Sequence, residues 1–481
     1  MIIMSGFVFY QENPWLSSRF FVFPLFLLTV FLIRKWFKPS KTPLNHPPSP
    51  PKLPIIGNLH QIGLNPHRTL QSLAQKHGSL MLLHLGNVPL LVVSSADAAR
   101  EIMKTHDPIF SSRPKTSVAS GIYECKDIAF SPYGEYWRRV KSICVYQLLS
   151  NRKVQSFRNV RDEEIALMVE KIKELGFLNV TINLGEIFAS LANDVICRVA
   201  LGRKYSDGEG GRKFKEVLET LGELLGAFDV GEFIPWLVWT KYINGMDSKV
   251  KKVAKDLDEK KMRLDLFLME SLLKLSSWTC LQLGTDTTFT LLEWTMSELI
   301  RNNHIMKKLK NEVRTIAGCK SHLTEDDIDK LQYLKAVIKE TLRLHTPLPL
   351  LVPRESTQDV KLLGYDIAAG TRVIINVWAI GRDPSLWEDP DKFWPERFLN
   401  SPIDFKGQHF ELIPFGAGRR SCPGAAFAMG IVELALANLV VNFDFSLPGG
   451  VSGENLDMTE GDGITVHKKF PLTVLASFNS I

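Results

Sequence analysis

The residues best suited to catalysis or to binding a metal lie in a loop that reads Pro414-Phe-Gly-Ala-Gly-Arg-Arg-Ser-Cys-Pro-Gly424. Its one cysteine, Cys422, precedes an apolar run over residues 425–443 that is typical of a helix, and Pro423 favours the first helical position. The positive end of a helix dipole biases a nearby thiol toward the thiolate. Such a thiolate is either a nucleophile or a soft metal ligand, and a buried cysteine without chemistry is the alternative.

Phe415, Gly418, Arg420, Cys422 and Gly424 together resemble the haem-binding loop of cytochrome P-450 enzymes. The resemblance implies that Cys422 is the proximal thiolate ligand of the iron in haem b, where a thiolate favours cleavage of the O–O bond. It also implies that backbone N–H groups after the cysteine act as hydrogen-bond donors to the ligand sulfur, and that Arg420 pairs with a haem propionate.

The stretch Gly284-Thr-Asp-Thr-Thr288 resembles the oxygen-binding segment on the long central helix of the same family. By that resemblance Gly284 lets the helix open locally, and Asp286 and Thr287 are the acid–alcohol pair that delivers protons during oxygen activation. Gly284 and Thr287 share one helix face because they lie three residues apart. Taken alone, the stretch is equally compatible with a helix N-cap.

The stretch before this motif departs from the family. Leu283 stands where a small residue is usual, so we expect its side chain to press toward the distal pocket. Only 22 residues separate Lys261 from Gly284, whereas a helix that crosses a domain of this size needs about twenty residues by itself. We therefore predict that the chain is shortened between about residues 262 and 283, as alternative splicing or a faulty gene model would produce.

Three further residues are implied as contacts of the haem propionates. Trp137 and Lys141 lie four residues apart and share a helix face. The family more often has arginine at the second of these positions, and lysine lacks the bidentate fork of arginine. Arg354, which follows a strand-like segment, is the expected second propionate ligand. Without the resemblance, Trp137 and Lys141 would indicate only a surface helix with an aromatic anchor.

Glu340 and Arg343 resemble the E-x-x-R motif of the family, and Arg397 lies in a Pro-Glu-Arg-Phe sequence that resembles its later partner. The resemblance implies that these three side chains form a structural cluster beneath the haem loop. On an ordinary helix the first two would form a surface pair worth about 0.2–0.5 kcal/mol.

Position within the family places the substrate pocket in residues 118–123, 228–236, 347–352 and 462–466. These segments are mostly apolar, which suits a lipophilic small molecule, although ordinary core packing explains apolar residues equally well. The specific candidates are Ile122, Leu350, Val352 and Ile464.

The composition of the 481-residue chain, 45% hydrophobic and 23% charged, is that of a folded protein. Its six cysteines are scattered, which favours a reducing compartment. The net charge of +6 is mild and not clustered as nucleic-acid binding requires. Arg138, Arg139 and Arg419 are expected to form a basic docking face for an acidic electron donor.

An apolar run over residues 20–33, followed by Arg34, Lys35 and Lys38, predicts an uncleaved transmembrane anchor over residues 20–37. A cleaved signal peptide is the alternative, but the positive charge follows the run instead of preceding it. We therefore expect residues 1–19 in the lumen, a proline-rich hinge over 38–58, and a cytosolic haem-thiolate domain over 59–481. The implied location is the endoplasmic reticulum membrane, with a single span.

The expected fold is mainly α with a minor β-sheet, the cytochrome P-450 fold, and residues 80–93 predict a β-hairpin with a turn at Gly86-Asn87.

The resemblance implies a plant-type microsomal monooxygenase of specialised metabolism. It would insert one oxygen atom of O2 into a lipophilic metabolite such as a terpenoid, a phenylpropanoid or coumarin, or an indolic compound. Electrons would come from NADPH through a membrane-bound flavoprotein reductase. The alternatives are an atypical haem-thiolate activity, such as aldoxime dehydration or oxidative ring closure, and a catalytically impaired variant.

Overall fold

The computed structural model describes residue 24 and residues 26–31, 44–204, 208–263 and 271–478, with side chains described outside 205–215 and 258–281. Contacts divide the chain into two units, residues 1–45 and residues 46–481. The predicted anchor over residues 20–37 falls mainly outside the described residues. Within it, residues 26–31 are helical and expose apolar side chains, including Phe26 and Phe31.

The larger unit is mainly helical, as predicted. Its α-helices in the described residues are α1 (Pro66–His77), α2 (Ala96–Arg100), α3 (Ser117–Tyr123), α4 (Glu135–Cys144), α5 (Asn151–Ser156), α6 (Arg158–Phe177), α7 (Leu184–Leu201), α8 (Gly208–Gly226), α9 (Thr240–Ile243), α10 (Met246–Arg263), α11 (Ser271–Arg301), α12 (Asn303–Ala317), α13 (Glu325–Ile328), α14 (Gln332–Leu344), α15 (Val377–Ile380) and α16 (Ala425–Asn442).

The strands form small sheets, and the predicted hairpin is confirmed. In a four-stranded sheet, the hairpin strands β1 (Leu80–Leu85) and β2 (Val88–Val93) are antiparallel. Strand β7 (Arg372–Ile375) runs parallel to β2 and pairs on its other side with β4 (Arg354–Glu355). Gly86 occupies the turn at a φ of 56°, in the left-handed region that favours glycine. The strands are β1 (Leu80–Leu85), β2 (Val88–Val93), β3 (Ile182–Asn183), β4 (Arg354–Glu355), β5 (Val360–Leu362), β6 (Tyr365–Ile367), β7 (Arg372–Ile375), β8 (Phe443–Ser446) and β9 (Thr473–Phe478).

Two long helices pass through the centre of the core. Helix α16 is built almost entirely of alanine, leucine, valine and other apolar residues, and most of its side chains are buried. Among the described residues it is the one helix long and apolar enough to cross a membrane. However, 72% of its residues Ala425–Asn442 are buried inside the protein. Helix α11 packs against α7 and α16, and it carries the predicted oxygen-binding segment into the core.

The second half of the predicted hinge packs on the domain. The backbone carbonyl of Pro48 accepts a hydrogen bond from the Leu82 N–H of β1. The side-chain amide of Asn58 donates to the carbonyls of Pro50 and Pro51, and its own N–H donates to the His84 carbonyl at 2.6 Å. These contacts fix the proline segment to the edge of the sheet, so only its first half is left to act as a spacer.

Candidate active site

The cysteine loop is held in a compact conformation by its own backbone. Residues Gly418–Arg420 form a single 3₁₀ turn, and the Cys422 N–H donates to the Phe415 carbonyl at 2.9 Å. Helix α16 begins at Ala425, with Gly424 as its N-cap. The expected helical start at Pro423 is therefore wrong by two residues, because Pro423 belongs to the loop.

The Cys422 thiol is enclosed by protein, yet its sulfur keeps accessible surface, and this surface faces an internal cavity. Burial raises the pKa of the thiol, while N–H groups of Gly424 and Ala425 and the charge of Lys141 act in the opposite direction. The bias toward the thiolate that the helix N-terminus predicts is therefore outweighed by desolvation. A sulfur with two N–H donors and an open side suits coordination of a metal from the cavity.

Gly418 is required by a close approach of two backbone segments. A Cβ at this position would lie 2.3 Å from the Met103 carbonyl oxygen and 2.6 Å from Asp107 Oδ1, and the φ of 71° is left-handed. The Asp107 carboxylate accepts the Arg419 N–H at 3.1 Å and the Arg419 guanidinium at 2.9 Å. Asp107 was not predicted from the sequence, because it lies 312 positions away from Arg419; it fixes the loop to the segment after α2.

The cavity has a volume of about 260 Å³ and lies between the cysteine loop and α11. Cys422 and Phe415 line it on one side, and Gly284 and Thr287 line it on α11. Leu283 also lines the cavity, as expected for a side chain that extends toward the distal pocket. The rest of the wall is largely apolar, including Ile196, Leu291, Leu348, Leu351, Val352 and Phe427.

The polar residues of α11 point in different directions. The Thr287 hydroxyl donates to the Leu283 carbonyl at 2.6 Å, so its hydrogen bond lies along the helix while the side chain lines the cavity. Asp286 is not among the residues that line the described cavity, and its carboxyl lies beside Thr465 and near His467. Burial raises the pKa of Asp286, with the hydroxyl of Thr465 and the charge of His467 acting against this rise.

Three buried arginines line the cavity wall: Arg113, Arg354 and Arg420. Burial and repulsion from Arg354 lower the pKa of Arg420 to about 9, and burial lowers the pKa of Arg354 to about 10 despite the charge of Asp107. Burial and repulsion from the other two also lower the pKa of Arg113. Asp107 and Asp127 only partly offset this excess of buried positive charge.

A haem fits this arrangement, because its two propionates would supply negative charge where the three arginines converge. The guanidinium groups are held in place by backbone carbonyls. Arg113 donates to Ala129, Val352 and Pro353, Arg354 donates to Phe110 and Ala417, and Arg420 donates to Ser111, Ile128 and Ser131. Arg113 was not predicted from the sequence, since nothing local distinguishes it from a surface arginine.

Trp137 and Lys141 lie on α4 and both line the cavity. The Trp137 indole N–H donates to the Ile128 carbonyl at 2.9 Å, and the Arg420 guanidinium stacks 4.0 Å above the ring. The Lys141 ammonium donates to the Arg419 carbonyl, and burial together with the charge of Arg420 lowers the pKa of Lys141. In this arrangement Trp137 and Lys141 support Arg420 and the cysteine loop. Both side chains border the cavity, but their hydrogen bonds go to backbone carbonyls.

The structure brings Glu340, Arg343 and Arg397 together. Glu340 is fully buried and accepts two hydrogen bonds of 2.8 Å from Arg343 and one of 3.2 Å from Arg397. A third donor, the Trp394 N–H, lies 2.8 Å from the same carboxylate. The cluster fixes α14 to the segment that contains residues 395–398.

The four substrate-pocket candidates differ in position. Val352 lines the cavity, whereas Ile122, Leu350 and Ile464 are not among the residues that line it in the described part of the chain. The expected contribution of residues 228–236 is not seen, because Phe228 is 53% and Trp236 is 59% exposed. After α8 this stretch contains two short 3₁₀ segments, Val230–Glu232 and Pro235–Leu237, and none of its residues lines the cavity.

Comparisons with known proteins agree with this geometry. A family model described as "Cytochrome P450" matches residues 47–474. The chain is 53% identical over 496 residues to cytochrome P450 736A117 of Prunus mume, covering 94% of this chain and 95% of the relative. It is 49% identical over 503 residues to norfluorocurarine oxidase of Strychnos sp, covering 96% and 98%. It is also 49% identical over 486 residues to (+)-menthofuran synthase of Mentha piperita, covering 94% and 98%.

Proposed function

The chain belongs to the cytochrome P450 family and is by class a cytochrome P450 monooxygenase, and on this premise we propose that it oxygenates a lipophilic plant specialised metabolite with electrons derived from NADPH. The observation that carries the proposal is the Cys422 sulfur facing the same cavity as Gly284 and Thr287. The relatives named as an oxidase and a synthase of plant compounds support the substrate class.

Haem, when bound through a thiolate, supplies the activation of O2. The protein residues then have separable tasks. We assign Cys422 as the ligand, with Gly424 and Ala425 N–H groups directed at its sulfur. Arg113, Arg354 and Arg420 would hold the propionates, while Leu351 and Val352 bind and orient an apolar substrate and exclude water. Thr287 would hold a proton donor at the cavity side of α11, with Asp286 as the acid behind it.

The reduced, CO-bound absorbance spectrum of membranes that contain the chain tests this assignment. We expect the Soret band shift that is typical of a thiolate ligand, and we expect Cys422→Ser to abolish it. Cys319→Ser is the matched control, because Cys319 is another exposed thiol with no place in the cavity wall. Survival of the shift in Cys422→Ser would assign the ligand elsewhere.

Oxygen and NADPH dependence separates a monooxygenase from an atypical haem-thiolate activity. Turnover of candidate terpenoid, phenylpropanoid or indolic substrates should stop when either O2 or NADPH is withheld. Turnover that continues without both would instead support aldoxime dehydration or another redox-neutral reaction. A reaction that consumes O2 but yields a product without an added oxygen atom would support oxidative ring closure.

An acidic flavoprotein reductase is the proposed electron donor, and Arg138, Arg139 and Arg419 are its proposed docking face. Two of these charges already have partners, because Arg139 pairs with Glu135 and Arg419 pairs with Asp107. We therefore expect Arg138→Glu to weaken electron transfer most. Raised ionic strength should reduce the difference between wild type and variant, because salt screens exposed charges.

Residues 236–243 support attachment to the endoplasmic reticulum membrane independently of the predicted anchor. Trp236, Trp239, Tyr242 and Ile243 are all at least half exposed, and aromatic side chains are enriched at membrane interfaces. Exposed apolar patches of this kind mark contact surfaces. The proposed orientation is single-pass, with the catalytic domain in the cytosol.

A catalytically impaired variant is the second candidate, and the relatives give a specific reason for it. The alignment with the Prunus relative spans 496 positions but uses only 94% of the 481 residues, so dozens of positions of that relative have no counterpart here. Unmatched positions in this number are what the predicted shortening between residues 262 and 283 requires, and the side chains of most of this stretch lie outside the described ones. Inserting the corresponding segment of that relative should raise haem occupancy and turnover if the shortening impairs the enzyme.

A further inference from the structure

The two arginines of the cysteine loop direct their charges away from the sulfur. The Arg420 guanidinium donates to backbone carbonyls within residues 111–131. The Arg419 guanidinium pairs with Asp107 at 2.9 Å. Neither arginine is among the groups that shift the pKa of the Cys422 thiol. A positive charge that favours the thiolate therefore comes from another element.

Helix α4 supplies this charge through Lys141. Its ammonium donates to the Arg419 carbonyl, three residues before Cys422 in the loop, and lies 5.2 Å from the centre of the Trp137 ring. Lys141 and Cys422 line the same cavity. Burial raises the pKa of the Cys422 thiol, and among the described side chains Lys141 is the one whose charge opposes this rise. The ammonium is thus fixed on the loop itself, within electrostatic reach of the sulfur.

The propionate contact that the resemblance implies for Lys141 is already provided by other residues. Arg113, Arg354 and Arg420 line the cavity wall, and their three positive charges exceed the two negative charges of the haem propionates. The planar guanidinium also binds a carboxylate through two N–H groups at once, whereas a lysine ammonium is a point charge. A further cation is therefore not needed at the propionates, and the charge of Lys141 is available to the sulfur.

We propose that Lys141 is a positioning residue for the thiolate: its ammonium, held on the Arg419 carbonyl, stabilises negative charge on the Cys422 sulfur and makes the bound haem iron easier to reduce. It acts together with the N–H groups of Gly424 and Ala425. Hydrogen bonds and charge at a ligand sulfur set the reduction potential of the metal. One electron from the flavoprotein reductase converts ferric to ferrous iron, and no bond or proton changes at Lys141. The inference rests on the proposed haem-thiolate function.

The reduction potential of the purified full-length protein with haem bound tests this role, measured by spectroelectrochemical titration. Lys141→Met removes the charge at similar side-chain length, and Lys141→Arg keeps it. We expect Lys141→Met to lower the equilibrium constant for reduction about tenfold, which is about 59 mV for one electron, and Lys141→Arg to stay close to wild type. Lys153→Met is the matched control, because Lys153 is an exposed lysine of α5 that is not among the residues lining the described cavity.

Resonance Raman spectra of the ferric protein separate an effect on the sulfur from an effect on the propionates. The iron–sulfur stretching frequency reports the ligand bond, and the propionate bending modes report contacts at the haem edge. We expect Lys141→Met to shift the iron–sulfur stretch and to leave the propionate modes unchanged. Lys141→Gln keeps a hydrogen-bond donor without the charge and should shift the stretch in the same direction. It also decides the outcome if Lys141→Met does not retain haem.

Three results would overturn this inference alone. A wild-type potential and iron–sulfur frequency in Lys141→Gln would show that the charge does not act on the sulfur. Shifted propionate modes with an unchanged iron–sulfur stretch would place Lys141 at the propionates instead. An equal loss of potential in Lys141→Arg or in Lys153→Met would assign the effect to packing or to net charge. A wild type without the thiolate-type spectrum of the reduced, CO-bound form would instead refute the proposed function, and this inference with it.

Discussion

Replacing Glu340 by glutamine would test whether the buried Glu340–Arg343–Arg397 cluster stabilises the fold beneath the cysteine loop. The carboxylate is fully buried and receives bonds from both arginines and from the Trp394 N–H. Glutamine keeps the volume but removes the negative charge, so two guanidinium groups lose their common counter-charge.

Breaking a buried ion pair by removing one partner costs about 3–5 kcal/mol. Here the lower end applies, because Arg343 also donates to the backbone carbonyls of Gly381, Pro390 and Lys392, and glutamine still accepts one hydrogen bond. We therefore expect Glu340→Gln to lower the free energy of unfolding by about 3 kcal/mol.

The assay is urea unfolding of the full chain in detergent, followed by tryptophan fluorescence and, separately, by Soret absorbance. Glu135→Gln serves as control, because Glu135 forms an exposed pair with Arg139 that should contribute less than about 1 kcal/mol. A Glu340→Gln midpoint that equals the control midpoint would refute the assignment of the cluster as a structural support.

Two further substitutions test local contacts, one through haem content and the other through the pH dependence of stability. Gly418→Ala should cost roughly 1–3 kcal/mol through backbone strain and its clash with the Met103 carbonyl, and should lower haem content measured by the pyridine haemochromogen assay; normal haem content would contradict this. Burial tends to raise the pKa of Glu460, but hydrogen bonds from His67 and Arg68 outweigh it and lower that pKa from 4.5 to about 2. Because the folded pKa lies below the unfolded one, the stabilisation is complete above pH 4.5 and is lost as the pH falls toward 2. Glu460→Gln should flatten the pH dependence of stability in this window, whereas an unchanged slope would contradict the assignment.

Features fixed by neighbouring residues were predictable from the sequence. The hairpin follows from alternation and Gly86-Asn87, and the facing pair Glu340 and Arg343 follows from a spacing of three on one helix. The cysteine loop has its conformation encoded in glycines at positions where a side chain would clash, as at Gly418.

Features fixed by contacts between distant segments were not predictable. Arg113 donates to the Val352 carbonyl across 239 positions, and no local pattern distinguishes it from a surface arginine. Residues 228–236 were expected at the pocket from their position within the family, but Phe228 and Trp236 are exposed. An apolar residue in the sequence is equally compatible with a cavity wall, the core and the surface.

The cavity wall is drawn from residues that range from Arg113 to Ala428, with the cysteine near the far end of this interval. During synthesis, a nascent chain that has not yet reached residue 422 therefore lacks both the sulfur and the start of the helix that supports it. Haem capture must follow the assembly of these long-range contacts, which form late and slowly. Because burial raises the pKa of the Cys422 thiol, the thiolate, which is the form that oxidants attack, is disfavoured once the domain has folded. The folded loop therefore protects the sulfur that it presents to the cavity.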